Sequence, residues 1–129
     1  MSKIDAPRVV QVLQQITVED PDHVDDRAQG RRVAPRYVVH GQPHCLVAVV
    51  LDRLGVSTGA IAQLDRQRRP GEGSIQFSRA DHPVARRFTR SALALLDRVQ
   101  ELQDAGLAWG EVHQRVTTRY SARNDPWLQ

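Results

Sequence analysis

His40, His44 and Cys45 place three ligating or nucleophilic side chains within six residues. A tetrahedral zinc site needs four ligands, commonly two close pairs far apart in sequence. The fourth would have to come from His23, His82, His113 or a carboxylate, and none of these has paired spacing. Cys45 would be a nucleophile if His40 or His44 and a helix N-terminus lowered its thiol pKa. No signature of a cysteine enzyme surrounds it. The plainer reading is a buried structural cysteine beside two ordinary histidines.

Other chemistry is equally thin. Asp20, Asp22 and Asp25, in the acidic run Glu19–Asp26, offer hard oxygen ligands. A calcium loop of the EF-hand type wants glycine at its sixth position and glutamate at its twelfth, where this chain has Asp25 and Arg31. The run therefore reads as a solvated loop. Gly71 and Gly73 lack the lysine and following helix of a phosphate-binding loop. No catalytic residue, metal or cofactor is expected, and the chain reads as a non-enzyme.

Two stretches suit binding. Leu51-x-x-Leu54-Gly55-Val56-Ser57-x-x-x-Ile61 resembles the core of a helix-turn-helix, with glycine turning the chain and serine capping the second helix. On DNA, Thr58, Ala60, Gln63 and Arg66 would face the groove, with Gln63 suited to adenine. Arg66 to Arg69 would meet phosphates. Gly59 weakens that helix by about 1 kcal/mol relative to alanine. Arg86, Arg87 and Arg90 form a second basic group near the start of a long helix, whose partial positive charge disfavours cations. An acidic partner surface would account for them.

The elements that position these residues follow from periodicity. Asp5 caps a first helix, with Pro7 in its first turn and Val9, Val12, Leu13 and Ile16 on one stripe to Thr17. Residues 18–35 form an acidic, irregular connection. Arg36 to His40 reads as a short strand and Gly41 to Pro43 as a turn. Cys45 to Leu51 is continuously apolar and fits strand or helix. Pro43 as a start and Leu54-Gly55 as a stop favour helix. Ser57 opens the next helix, Arg66–Ser74 is a linker, and Ile75–Phe77 is a brief extended piece. Asp81 caps a helix running to Ala105, roughly 36 Å long. Its stripe is Phe88, Ala92, Leu95, Val99 and Leu102, widened by Leu93 and Leu96. Trp109 to Tyr120 is the last helix, and 121–129 a polar tail.

The chain has 129 residues, enough for one modest core. Its apolar fraction is 40% and its mean hydropathy −0.47. No stretch approaches the roughly 18 apolar residues of a membrane span, and the start lacks the apolar segment of a signal peptide. One cysteine precludes an internal disulfide and suits a reducing cytoplasm. The formal charge is +3, and Lys3 is the only lysine among 18 basic residues. Such arginine bias reflects a GC-rich genome or, less simply, a selected anion-binding surface.

Arg36-Tyr37, Gly41-x-Pro43-x-Cys45, Val50-Leu51-x-x-Leu54-Gly55, Gln103-Asp104-x-Gly106 and Trp109-Gly110-Glu111 together resemble a group of small, mostly uncharacterised proteins of actinobacteria and their phages. The resemblance covers roughly residues 36–113. It implies a cytoplasmic protein from a GC-rich genome and brings no activity or catalytic residue.

The expectation is one mainly α domain, a bundle of about five helices with a short β-hairpin or extended piece. Its core would include Val12, Ile16, Leu46, Val50, Leu54, Ile61, Phe88, Leu95, Val99, Leu102 and Trp109. The leading functional expectation is a non-catalytic regulatory or adaptor protein that binds another protein through Arg86, Arg87 and Arg90 and through Arg66, Arg68 and Arg69. The alternative is a helix-turn-helix DNA-binding regulator using Thr58, Gln63 and Arg66. The broad apolar face of the long helix also suits homodimerisation.

Overall fold

In the computed structural model of the protein, described residues are 3–25, 36–67 and 76–124. The carboxylate of Asp5 accepts from the Arg8 N–H at 3.1 Å and starts α1 (Ala6–Glu19). Val9, Val12, Leu13 and Ile16 are buried along one face of it. The chain then forms a minimal hairpin from β1 (Val38–Val39) and β2 (Gln42–Pro43), with Val39 opposite Gln42. His40 and Gly41 turn it with φ of 52° and 73°. Two positive φ angles in a two-residue loop match the right-handed twist of the flanking strands.

The apolar run after the hairpin is helical, as α2 (Leu46–Arg53). Gly55, with φ 90°, closes it. Its N–H donates to the Asp52 carbonyl and the Val56 N–H donates to the Leu51 carbonyl, both at 3.0 Å. This pair of bonds satisfies carbonyls that the helix end would otherwise leave open. The Ser57 hydroxyl oxygen accepts from the Ala60 N–H at 3.2 Å and opens α3 (Thr58–Gln67). The helix absorbs Arg66 and Gln67 from the expected linker, and the rest of that linker lies outside the described residues.

The long helix is shorter than its periodicity suggests. Residues 85–87 form a 3₁₀ turn, Phe88 and Thr89 are extended, and α4 spans Arg90–Asp104. That is roughly 22 Å at the usual rise. Two interactions break the helix. The Thr89 hydroxyl oxygen accepts from Ala92 N–H at 3.2 Å. Phe88 pairs with Ile4 across a parallel bridge, in which the Ile4 N–H donates to the Arg87 carbonyl at 2.8 Å and the Thr89 N–H to the Ile4 carbonyl at 2.9 Å. Arg86 and Arg87 thus precede the helix, and of the three arginines only Arg90 lies in it. Phe77 likewise belongs to a 3₁₀ turn, Phe77–Arg79, instead of an extended piece.

Gly106, with φ 88°, ends α4 as Gly55 ends α2, and α5 (Trp109–Asn124) returns across the bundle. Among the described residues the fold is mainly α, with five α-helices and one short hairpin. Helix α4 packs against α1, α2, α5 and the Phe77 turn. Its broad apolar face is therefore occupied within the chain. Of the expected core, every residue is buried except Leu54, which is half-buried against the cluster.

Candidate nucleic-acid interface

The first half of this surface is α2, and its N-terminus lies inside the protein. Cys45, Leu46 and Val47 are each fully buried, and the Cys45 side chain makes no capping bond. The first N–H groups of a helix have no partner within it and become costly without water. Two remote side chains meet them here. One Asp25 carboxylate oxygen accepts from the Leu46 N–H at 3.3 Å, and the Gln103 side-chain Oε1 accepts from the Val47 N–H at 2.9 Å.

The same Asp25 oxygen also accepts from the Trp109 indole N–H at 3.3 Å, at the start of α5. Backbone bonds reinforce this join: Trp109 N–H donates to the His23 carbonyl and Gly110 N–H to the Pro21 carbonyl, at 2.9 and 2.8 Å. A side chain at Gly110 would press on Pro21, 3.0 Å from its Cβ. The acidic stretch 20–25 is thus a strap across two helix N-termini. The expectation of a solvated loop fails at Asp25, which is 3% exposed; residues 26–35 lie outside the described residues. Burial pushes the Asp25 carboxyl above its ordinary 3.8, against its hydrogen bonds and the nearby His23 and His44.

Burial also pushes the Cys45 thiol up to about 12, with the Asp25 charge adding to the effect. A thiol so placed is protonated at neutral pH and is neither nucleophile nor ready ligand. His40 stands exposed at the tip of the hairpin. Among the described residues, no group of three or more His, Cys, Asp or Glu side chains is placed to hold a metal ion.

The second half is α3. Leu51, Val56 and Ile61 are buried between it and α2, as the motif requires. Asp65 faces inward, accepting from the Tyr37 and Val38 N–H groups at 2.9 and 3.1 Å. This ties α3 to β1. Gly59, Gln63, Arg66 and Gln67 are exposed, and their spacing puts them on one helical face. Thr58 and Ala60 are half-buried. The outer face therefore carries two of the three expected DNA-contact residues fully, Gln63 and Arg66.

The other basic candidates separate. Arg86 is taken by Asp81 in an exposed ion pair of 2.6 Å. Arg90 is exposed at the first residue of α4. Arg87 extends toward the α2–α3 turn, where its guanidinium Nη1 lies 3.4 Å from the Gly55 carbonyl oxygen. Arg68 and Arg69 lie outside the described residues. Sequence reasoning missed Asp25 and Gln103 because neither is near α2 in the chain. The one available signal was the bare N-terminus of an apolar helix, which demands polar partners from elsewhere.

Elsewhere, α1, α4 and α5 border a groove of about 630 Å³, whose lining includes Ala94, Leu95, Val116 and Tyr120 together with Arg98 and Arg119. Among the described residues, no helix is long and apolar enough to cross a membrane. Comparison of the chain with protein-family models, curated proteins and solved structures finds no match.

Proposed function

We propose that this is a non-catalytic regulatory protein that binds duplex DNA through the α2–turn–α3 unit. The observation that carries the reading is the unit itself: helices of 8 and 10 residues joined by a glycine-closed turn, with one face of the second helix open to solvent. Such a unit lays its second helix in the major groove while the first crosses the backbone. Gln63 supplies an amide that can pair with adenine, and Arg66 a cation for a flanking phosphate.

The test is fluorescence anisotropy of a labelled random-sequence duplex at low salt. Gln63→Ala with Arg66→Ala should weaken the complex measurably and flatten its salt dependence, while the circular dichroism spectrum and unfolding midpoint stay unchanged. Unaltered binding by that double variant would contradict the reading. A second reading, a protein partner, is supported by the exposure of Arg90 and by the partly apolar groove between α1, α4 and α5. On that reading the double variant is silent, and charge reversal at Arg86 and Arg90 releases the partner.

A further inference from the structure

A basic residue from elsewhere in the chain reaches the α2–α3 turn. Arg87 lies 32 residues beyond Gly55 in sequence, yet its guanidinium reaches the Gly55 carbonyl. Ser57, which caps α3, follows Gly55 by two residues, at most about 7.6 Å along the chain. Arg87 is thus held beside the N-terminal end of the helix whose outer face carries Gln63 and Arg66. Its backbone is fixed independently of its side chain, because the Arg87 carbonyl accepts from Ile4 N–H at 2.8 Å and buried Phe88 anchors the next residue.

We propose that Arg87 is a phosphate-contacting arm of the same DNA surface, presented by the 85–87 turn alongside α3. This rests on the reading of α2–α3 as a DNA-binding unit and adds a residue that the helix-turn-helix pattern does not contain. Three observations favour it over the neighbouring arginines. Arg87 makes no ion pair among the described residues, whereas Arg86 is held by Asp81 and Arg53 by Glu19. Its contact with Gly55 is long for a hydrogen bond, so the guanidinium gives up little in turning to a phosphate. Its site is the N-terminal end of the second helix, which lies nearest the base edges in such complexes and is flanked by backbone phosphates. An arginine there fixes register and adds affinity without reading sequence.

The experiment measures binding of the full chain to random-sequence duplex DNA over a range of salt concentrations. The proteins compared are the wild type, Arg87→Ala, Arg87→Lys and Arg119→Ala. Arg119 lies on α5 and lines the groove, to which α3 contributes no residue, and its loss changes net charge equally. Each lost phosphate contact flattens the plot of log affinity against log salt by about 0.9. Arg87→Ala should show that change with binding weakened most at low salt, Arg87→Lys should keep the wild-type slope, and Arg119→Ala should match the wild type. A wild type that binds while Arg87→Ala keeps its full slope overturns the assignment of Arg87 alone. Equal flattening by Arg119→Ala also overturns it, since net charge would then be the cause. A wild type that fails to bind duplex overturns the DNA reading and this inference together.

Discussion

At the scale of single residues, burial decides which groups can do chemistry. Cys45 and the histidines around it suggest a site when read along the chain, but the thiol is enclosed and the His40 ring is in solvent. His82 shows the same force on another ring. It is 2% exposed, its Nδ1 accepts from Val84 N–H at 3.0 Å, and its Nε2 has no hydrogen-bond partner among the described residues. Burial, and then the nearby Arg86 charge, hold its pKa below the ordinary 6.5. A histidine with a depressed folded-state pKa binds protons less readily than in the unfolded chain. Its contribution is present above 6.5 and lost as pH falls through that value and on toward the folded one. Urea unfolding at about pH 7 and about pH 5 should therefore show a loss of stability that His82→Asn, which retains an acceptor for Val84, reduces. An equal loss in wild type and variant would show that other groups set the pH response.

At the scale of elements, carboxylates hold irregular backbone against helices. Asp65 on α3 takes the N–H groups of Tyr37 and Val38 at the start of β1, Asp97 on α4 takes those of Phe77 and Ser78, and Asp25 joins the starts of α2 and α5. Asp25→Ala would leave the Leu46 and Trp109 donors buried without a partner, at about 1–3 kcal/mol. The cost of burying the carboxylate offsets part of this, so the net loss should fall toward the lower end. Asp20→Ala, on the exposed part of the strap, should change stability by less than about 0.5 kcal/mol. Denaturant midpoints check both, and equal effects would contradict the account of the strap. The local signals were legible in sequence: the Asp5 and Ser57 caps, the Gly55 stop, and the apolar stripes of α1 and α4. The joins were not. Asp25 and Gln103 reach α2 from 21 and 56 residues away, and no local pattern encodes such a pairing. Phe88 kept the helical stripe of α4 going on paper, although its pairing with Ile4 ends the helix there.

At the scale of the whole molecule, the bundle covers the apolar face of α4 with its own neighbours and, among the described residues, leaves the outer face of α3 exposed. The apolar width of α4, which in sequence suggested a second copy, is accounted for by packing against α1, α2 and α5. The residues of the α2–turn–α3 unit were legible in sequence. Arg87 was legible only as part of a basic group on a different helix, because its approach to Gly55 depends on the Ile4–Phe88 bridge. The proposal that this surface binds DNA is tested most directly with unmodified protein and a random-sequence duplex, titrated from low to high salt. The account predicts a complex at low salt whose log affinity falls linearly with log salt, by about 0.9 per phosphate contacted. No complex at low salt would contradict it.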